Sequence, residues 1–211
     1  MIPDVKDTRT VPAGQISYSR RKEFLRTITL VPVFTVLMIV SSKIAVAGAP
    51  IPITLQLPMV ILTGLLIGPW RGAAAQGLYL IMGLIGLPVF TSGGGISYIF
   101  QPTFGFLLGF PVCAFCVGFL SGLIFEKKRS APFVYSGIAL SSVASILVCY
   151  VFGAGYLFLF SHYFGSGVME KLSLSKVLAI SVLPFIWKDL IMMLPVALIA
   201  GRLRKIRALA R

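Results

Sequence analysis

The chain alternates between long apolar runs and short polar segments. Six runs are long enough for membrane helices, which need about 17 to 25 apolar residues each; they lie near 25–43, 53–69, 72–89, 104–125, 133–160 and 175–201. Each run is continuously apolar rather than alternating, which indicates a helix and not a barrel strand. We therefore predict an all-α integral membrane protein, a six-transmembrane-helix bundle over 25–201, with segments 1–24 and 202–211 outside the membrane.

Composition and charge predict the topology. Hydrophobic residues make up 57% of the chain and charged residues only 12%, about half the share found in soluble domains. When loops are assigned to alternating sides, 15 of the 19 Lys and Arg residues fall on the side of the N-terminus, and Lys188 falls inside the last run. Because positive charge marks cytoplasmic loops, we predict a multi-pass protein of the cytoplasmic membrane with both termini in the cytoplasm.

The net charge of +13 also raises the question of nucleic-acid binding, but no recognisable binding motif accompanies the charge. The basic clusters adjoin the apolar runs, so the lipid bilayer is the predicted partner and nucleic acid is not. The sequence contains no H-E-x-x-H, G-x-S-x-G or G-x-x-x-x-G-K-[ST] motif. We therefore predict that the chain is not an enzyme and that any energy for transport comes from other chains.

Cysteines and small residues have structural interpretations. Cys113 and Cys116 have the C-x-x-C spacing of a redox or metal pair, yet no further Cys or His lies near enough in sequence to complete a metal set. We predict free thiols and no metal site. Small residues at one-turn spacing, such as Gly64 and Gly68, predict close packing between helices, and contact with a partner membrane subunit is the alternative.

Asp189 lies inside the apolar run 175–201. A carboxylate is costly there, so a functional role is the default interpretation and a buried structural hydrogen bond is the alternative. The loops that face outward are rich in Gly, Pro, Ser and aromatic residues. Gly93, Gly94 and Gly95 permit positive φ, so this loop can present several backbone N–H groups in one concavity, or it can serve as a flexible lid. Together these features predict a pocket for a small, rather apolar ligand with N–H donors.

The stretch from Ile51 to Gly95 resembles the BioY family, the biotin-binding membrane subunits (S components) of energy-coupling factor (ECF) transporters. The resemblance continues downstream and covers most of residues 50–195 in the family's order. The matching pieces are PITLQ (52–56), GLLIG (64–68), RG (71–72), Tyr79, GLPVF (86–90), QPTFGF (101–106), LPF (183–185) and KDLI (188–191).

The resemblance implies a bundle of the ECF S-component type that binds biotin from outside and works with a membrane coupling subunit and two cytoplasmic ATPase subunits. It implies no cofactor, because biotin is the transported substrate. It also implies that Asp189 accepts N–H bonds from the ureido head of biotin, with Tyr79 and Phe90 against the rings; charge-assisted bonds are the stronger kind. The candidate substrate-binding residues are Asp189, Gln56, Tyr79, Phe90, Ser92, Gly93, Gly94 and Lys188.

Two departures from the family pattern bear on the site. Met192 stands where the family has Lys one turn after the aspartate, and Ser92 or backbone amides replace the Asn of the Gly-rich loop. Adjacent helical positions point about 100° apart, so we expect that Lys188 does not simply take over as the counter-charge. The alternatives are a turn distorted after Pro184, a protonated Asp189, or a donor from another helix, with Lys188 snorkelling to the interface.

A third departure lies on the first helix. S components place a small-x-x-x-small pattern against the coupling subunit, and here it reads Thr27, Val31, Thr35. This predicts an altered interface, a different coupling subunit, or a carrier that works alone. The predicted function is high-affinity biotin uptake. The alternatives are an S component for another vitamin, an intramembrane enzyme acting on lipid or peptide, and an assembly subunit without substrate.

Overall fold

A computed structural model of the chain describes residues 13–46, 52–125, 131–165 and 171–209. Within these ranges the chain is almost entirely helical. The elements are α1 (Ala13–Lys43), β1 (Ala45–Val46), β2 (Ile53–Thr54), α2 (Gln56–Ile67), α3 (Pro69–Leu84), a 3₁₀ helix (Ile96–Phe100), α4 (Phe104–Phe125), α5 (Ala131–Tyr163), α6 (Leu174–Ser181) and α7 (Leu183–Leu209). Residues 1–12 of the predicted cytoplasmic segment, 47–51 of the first outer loop, the basic cluster at 127–129 and the last two residues of the tail lie outside the described ranges.

Four helical segments of the described chain are long and apolar enough to cross a membrane. They are Arg21–Lys43, Phe104–Leu123, Pro132–Tyr163 and Leu174–Arg202. These segments coincide with four of the six predicted runs, so the prediction of an all-helical membrane protein is confirmed. The count of six spans is not confirmed, because the runs 53–69 and 72–89 form the shorter helices α2 and α3.

Turns shorten α2 and α3. The β1–β2 hairpin takes the first residues of the run 53–69, so α2 begins only at Gln56. Gly68 then ends α2 with a φ of 86°, and Pro69 opens α3 at a position where a proline costs no hydrogen bond. At 1.5 Å per residue, the 12 residues of α2 extend about 18 Å and the 16 of α3 about 24 Å, less than a hydrocarbon core of about 30 Å.

Helix α4 packs against α2, α3 and α5. Its contact with α2 is close: a Cβ atom added to Gly64 would lie 2.3 Å from the backbone oxygen of Ala114. Likewise, a Cβ atom added to Gly118 would lie 2.6 Å from the backbone nitrogen of Pro69. Glycine is therefore required where these backbones approach each other. The interpretation of small residues as packing positions is confirmed at these two glycines.

One face of α1 packs on α3. Thr35 Oγ1 donates to the backbone oxygen of Ala75 at 3.0 Å, and the Thr35 side chain is buried. Nearer the N-terminus, Arg71 Nε donates to Thr27 Oγ1 at 3.0 Å. The face that carries Thr27 and Thr35 is therefore occupied by the chain's own third helix.

The segments after α1 and α3 meet at one end of the bundle. Ser42 Oγ donates to the backbone oxygen of Val89 at 2.7 Å, and Lys43 Nζ donates to that of Phe90 at 2.6 Å. The end of α1 is thus tied to the Gly-rich loop. These contacts place the predicted outer loop after the third span beside the end of α1, where the first outer loop begins.

Candidate functional site

Asp189 lies in the second turn of α7, and only 3% of its surface is exposed. Tyr150 on α5 donates its hydroxyl hydrogen to Asp189 Oδ2 at 2.6 Å. Lys188 Nζ lies 2.8 Å from Asp189 Oδ1. The carboxylate therefore faces the interior of the bundle and not the surrounding lipid.

The expectation that Lys188 does not serve as the counter-charge of Asp189 is wrong. Adjacent side chains leave the helix in different directions, but the long lysine stem lets Nζ return to the carboxylate. The same Nζ donates to the backbone oxygen of Thr54 at 2.7 Å. A donor from another helix is also present, in the tyrosine hydroxyl from α5. A turn distorted after Pro184 is not found, because α7 runs unbroken from Leu183.

One carboxylate oxygen of Asp189 is paired with Lys188 alone. Lys188 Nζ lies within ion-pair distance of Oδ1 but outside hydrogen-bonding geometry, and Oδ1 has no other partner among the described residues. Each carboxylate oxygen has two lone pairs, so Oδ1 can accept a further bond while it stays paired with the lysine. An N–H group of a ligand would supply that bond.

A pocket opens beside Asp189, where the segments after α1 and α3 meet α4, α5 and α7. The enclosed cavity measures about 60 Å³, and the space is about 580 Å³ when the open mouth is counted. Its walls are mainly aromatic and aliphatic. The lining residues are Pro52, Thr54, Gln56, Leu57, Thr91, Tyr98, Thr103, Phe106, Leu107, Phe110, Cys149, Tyr150, Phe185, Lys188 and Asp189.

Gln56 is the third of the candidate residues that line the pocket, after Asp189 and Lys188. Its amide is engaged with the protein: Nε2 donates to the Tyr79 hydroxyl at 3.0 Å, and Oε1 accepts from Thr54 Oγ1 at 2.9 Å and Thr91 Oγ1 at 3.3 Å. Thr54 belongs to the segment between α1 and α2, and Thr91 belongs to the segment after α3. Gln56 therefore joins these two segments. Its geometry is that of a residue that holds the rim of the pocket together.

Tyr79 and Phe90 lie one layer behind the pocket wall. Both side chains are buried, and their rings meet edge to face with centroids 5.4 Å apart. Phe90 in turn packs on Tyr98, with centroids 4.6 Å apart, and Tyr98 lines the pocket. The two candidates therefore do not line the pocket but support the ring of Tyr98, which does. Other aromatic residues of the wall include Phe106 and Phe185.

The Gly-rich loop forms a tight turn. The N–H of Gly93 donates to the backbone oxygen of Phe90, and the N–H of Gly95 donates to that of Gly83 at 2.7 Å. The prediction of a concavity of open N–H groups is therefore wrong for Gly93 and Gly95, because their donors already have protein acceptors. Ser92 is exposed, and neither it, Gly93 nor Gly94 is among the pocket-lining residues.

Tyr150 and Phe185 are two of the pocket residues that sequence reasoning did not name as candidates. Phe185 lies four residues before Asp189, so both project from the same face of α7, and this spacing was a signal available in the sequence. Tyr150 is different. The run 133–160 holds three tyrosines, and nothing in their spacing indicates which one reaches α7.

The interpretation of the cysteines as free thiols is confirmed for Cys113, Cys116 and Cys149. In the described part of the chain, no group of three or more His, Cys, Asp or Glu residues could hold a metal ion. Cys149 lines the pocket. Its sulfur adds to the apolar character of the wall.

Comparison with known proteins decides the family. The model of the BioY family matches residues 11–209. The chain belongs to the BioY family. The "Biotin transporter BioY" of Thermotoga maritima is 34% identical over 175 residues, 82% of this chain and 93% of the relative. The "Probable biotin transporter BioY" of Lysinibacillus sphaericus is 32% identical over 184 residues, 87% of this chain and 89% of the relative.

A solved structure agrees with the family assignment. The crystal structure of an S-component for biotin from an ECF-type ABC transporter has a TM-score of 0.69 and 28% sequence identity, over 86% of this chain and 92% of that chain. The BioY resemblance is thus confirmed, and the chain has the fold of an ECF S component. It is a multi-pass membrane protein of a transport family rather than a family of enzymes.

Proposed function

We propose that this chain is the biotin-binding S component of an ECF-type transporter. It takes up biotin across the cytoplasmic membrane with high affinity and without chemical change. The observation that carries the proposal is Asp189, a buried carboxylate that lines an aromatic pocket and whose Oδ1 has Lys188 as its one partner among the described residues. The relatives named as biotin transporters and the similar S-component for biotin support the choice of substrate.

The polar head of biotin matches the polar groups of the pocket. A ureido group carries two N–H donors and one carbonyl acceptor. Asp189 Oδ1 accepts one N–H, and the Lys188 ammonium, which gives one of its three donors to Thr54, stabilises the ureido oxygen. Hydrogen bonds to charged groups contribute about 1.5–3 kcal/mol each. The head of the ligand thus completes a set of bonds that the protein alone leaves incomplete.

The apolar part of biotin matches the walls. The bicyclic ring and the aliphatic arm pack against Tyr98, Phe106, Phe110 and Phe185, where buried apolar area contributes roughly 25 cal/mol per Å². Tyr79 and Phe90 act from the second layer by fixing Tyr98, and Gln56 holds the rim. Ser92, Gly93 and Gly94 belong to the loop that closes over the bound ligand.

The proposed topology has six spans and both termini in the cytoplasm. The unequal distribution of Lys and Arg between the two sides supports it. Helices α2 and α3 are then spans that are shorter than the hydrocarbon core, a mismatch that local thinning of the bilayer accommodates at modest cost. Segments 1–24 and 202–211 are cytoplasmic extensions of the membrane domain.

The proposed transport cycle begins with capture of biotin at the outer loops and closure of the Gly-rich loop. Reorientation of the whole bundle follows, driven by two cytoplasmic ATPase subunits through a membrane coupling subunit. Because Thr27 and Thr35 pack on α3, the coupling subunit meets another face of α1. Exposed apolar side chains on that helix, such as Phe24 and Val36, offer such a face.

Titration of the purified chain with biotin tests the proposal. Asp189→Asn keeps the shape of the side chain and removes its charge, and we expect a loss of affinity of roughly ten- to a hundredfold. Glu23→Gln is the matched control, because Glu23 is an exposed acid on α1. Its affinity is expected to equal that of the unchanged chain. Equal affinity in Asp189→Asn would remove this residue from the site, and a chain that does not bind biotin would overturn the proposed substrate.

A further inference from the structure

A second groove lies between α5 and α7, apart from the pocket beside Asp189. It has a volume of about 400 Å³. Small side chains open it, Ala139 and Ser142 on α5 and Ala197 on α7, while Leu194 and Leu198 stand exposed at its side. Both helices belong to candidate membrane spans. The medium around this groove is therefore lipid rather than water.

The groove and the part of α7 that follows it together reach about the depth of one leaflet. Seven residues of α5 separate Tyr135 at one end from Ser142 at the other, about 10 Å at 1.5 Å per residue. Along α7, nine residues separate Met193 from Arg202, about 14 Å on the same scale. Half of a hydrocarbon core measures about 15 Å. In the proposed topology this is the cytoplasmic leaflet.

The walls of the groove are almost without polar groups. Ser142 Oγ has no hydrogen-bond partner in the described chain, whereas Ser141 and Ser145 on the same helix each donate to a backbone oxygen. Apart from Ser142, only Tyr135 brings a side-chain oxygen to the lining. A polar solute would leave most of its own groups unpaired here, which is costly. A hydrocarbon chain suits this wall.

The end of the groove near the C-terminus has the features of a headgroup site. The ring of Tyr135 lies against Gly201, where an added Cβ atom would be 2.5 Å from the ring. Arg202 follows with an exposed side chain. The sequence from Arg202 to Arg211 holds five basic residues and no acid. Aromatic rings and basic residues at this level are typical of contacts with anionic headgroups.

We propose that the α5–α7 groove binds an anionic phospholipid of the cytoplasmic leaflet, with an acyl chain along Ala139 and Ala197 and the phosphate at Arg202. Charge complementarity at the mouth selects an anionic lipid over a zwitterionic one. The site is independent of biotin binding, since it shares no lining residue with the first pocket.

Native mass spectrometry of the full chain in detergent, with added phosphatidylglycerol or phosphatidylcholine, tests the proposal. We expect the unchanged chain to retain phosphatidylglycerol more firmly than phosphatidylcholine. The double variant Ala139→Leu/Ala197→Leu fills the groove and is expected to lose most of the bound lipid. Ala74→Leu, which enlarges an exposed side chain of α3, is the control and is expected to retain it. Arg202→Gln is expected to lose the preference for phosphatidylglycerol.

Equal retention of the two lipids by the unchanged chain would overturn the proposal. Full retention of phosphatidylglycerol by the double variant Ala139→Leu/Ala197→Leu would also overturn it. A co-purified protein seated in place of lipid would overturn it too. If the double variant does not fold, Arg202→Gln decides, and an unaltered lipid preference in it contradicts the proposal. Biotin titration of each folded variant distinguishes lipid binding from biotin binding. The variants of the lipid site are expected to bind biotin with unchanged affinity.

Discussion

The contact between α2 and α4 differs from the pocket beside Asp189 in how closely the atoms pack and in how fully the polar atoms are paired. At Gly64 the backbones approach so closely that even a methyl group would meet a backbone oxygen. At the pocket the side chains leave an opening, and Asp189 Oδ1 is paired with Lys188 but makes no hydrogen bond to the described residues. The bundle is tightly packed where it must be stable, and it leaves unmade contacts where a ligand is to be bound.

The largest expected effect is on stability, at the packed contact. In Gly64→Ala the new Cβ atom meets the backbone oxygen of Ala114, which cannot move aside as a side-chain end would, so we expect a loss of about 1–3 kcal/mol. Thermal unfolding of the purified chain measures it. Gly77→Ala on α3 is the control, since nothing lies within 4 Å of its added Cβ. It is expected to be neutral or stabilising, by up to about 1 kcal/mol. Equal stability of the two variants would contradict the claim that the α2–α4 contact is tightly packed at Gly64.

The next effect is on binding, at the counter-charge of the pocket. Lys188→Met keeps a long stem but removes the contacts with Asp189 Oδ1 and the backbone oxygen of Thr54. We expect biotin affinity to fall by roughly five- to thirtyfold, or about 1–2 kcal/mol. The exposed Lys176 on α6 provides the control, and Lys176→Met is expected to bind normally. Unaltered affinity in Lys188→Met would show that the ammonium plays no part in the pocket.

A smaller effect is expected at the tyrosine that orients the acid. Tyr150→Phe removes only the hydroxyl that donates to Asp189 Oδ2, so the carboxylate is less well fixed. Biotin affinity is expected to fall by roughly two- to tenfold, about 0.5–1.5 kcal/mol. Tyr163→Phe, at an exposed position of the same helix, serves for comparison and is expected to bind like the unchanged chain. If both variants bind equally well, the position of the carboxylate does not depend on Tyr150.

The sequence predicted the helical membrane architecture because long apolar runs have few other stable structures in lipid. The sequence overestimated the lengths of α2 and α3, because hydropathy does not report backbone geometry. Residues 53 and 54 are apolar enough for a span, yet they pair with the other strand of a hairpin. Gly68 and Pro69 set the boundary between α2 and α3, close to the break between the predicted runs 53–69 and 72–89.

A site residue could be predicted when its type is unusual for a membrane helix. It could not be predicted when its role depends on contact with another helix. Asp189 stands out because a lone acid in an apolar run is costly. Tyr150 does not, since a tyrosine is common in such runs and its bond to α7 depends on how the helices are placed. The role of Lys188 was misjudged because helical angles describe Cβ directions and not the reach of a four-carbon stem. The glycines of the loop predicted a concavity of N–H groups or a flexible lid, but only the structure shows where these N–H groups point.

A structure of the chain with biotin bound tests the central claim most directly. The account predicts a ureido nitrogen about 2.7–3.2 Å from Asp189 Oδ1, with the bicyclic ring between the aromatic walls of the pocket. A complex in which the ureido group lies away from Asp189, with Oδ1 bonded to a protein donor instead, would contradict it.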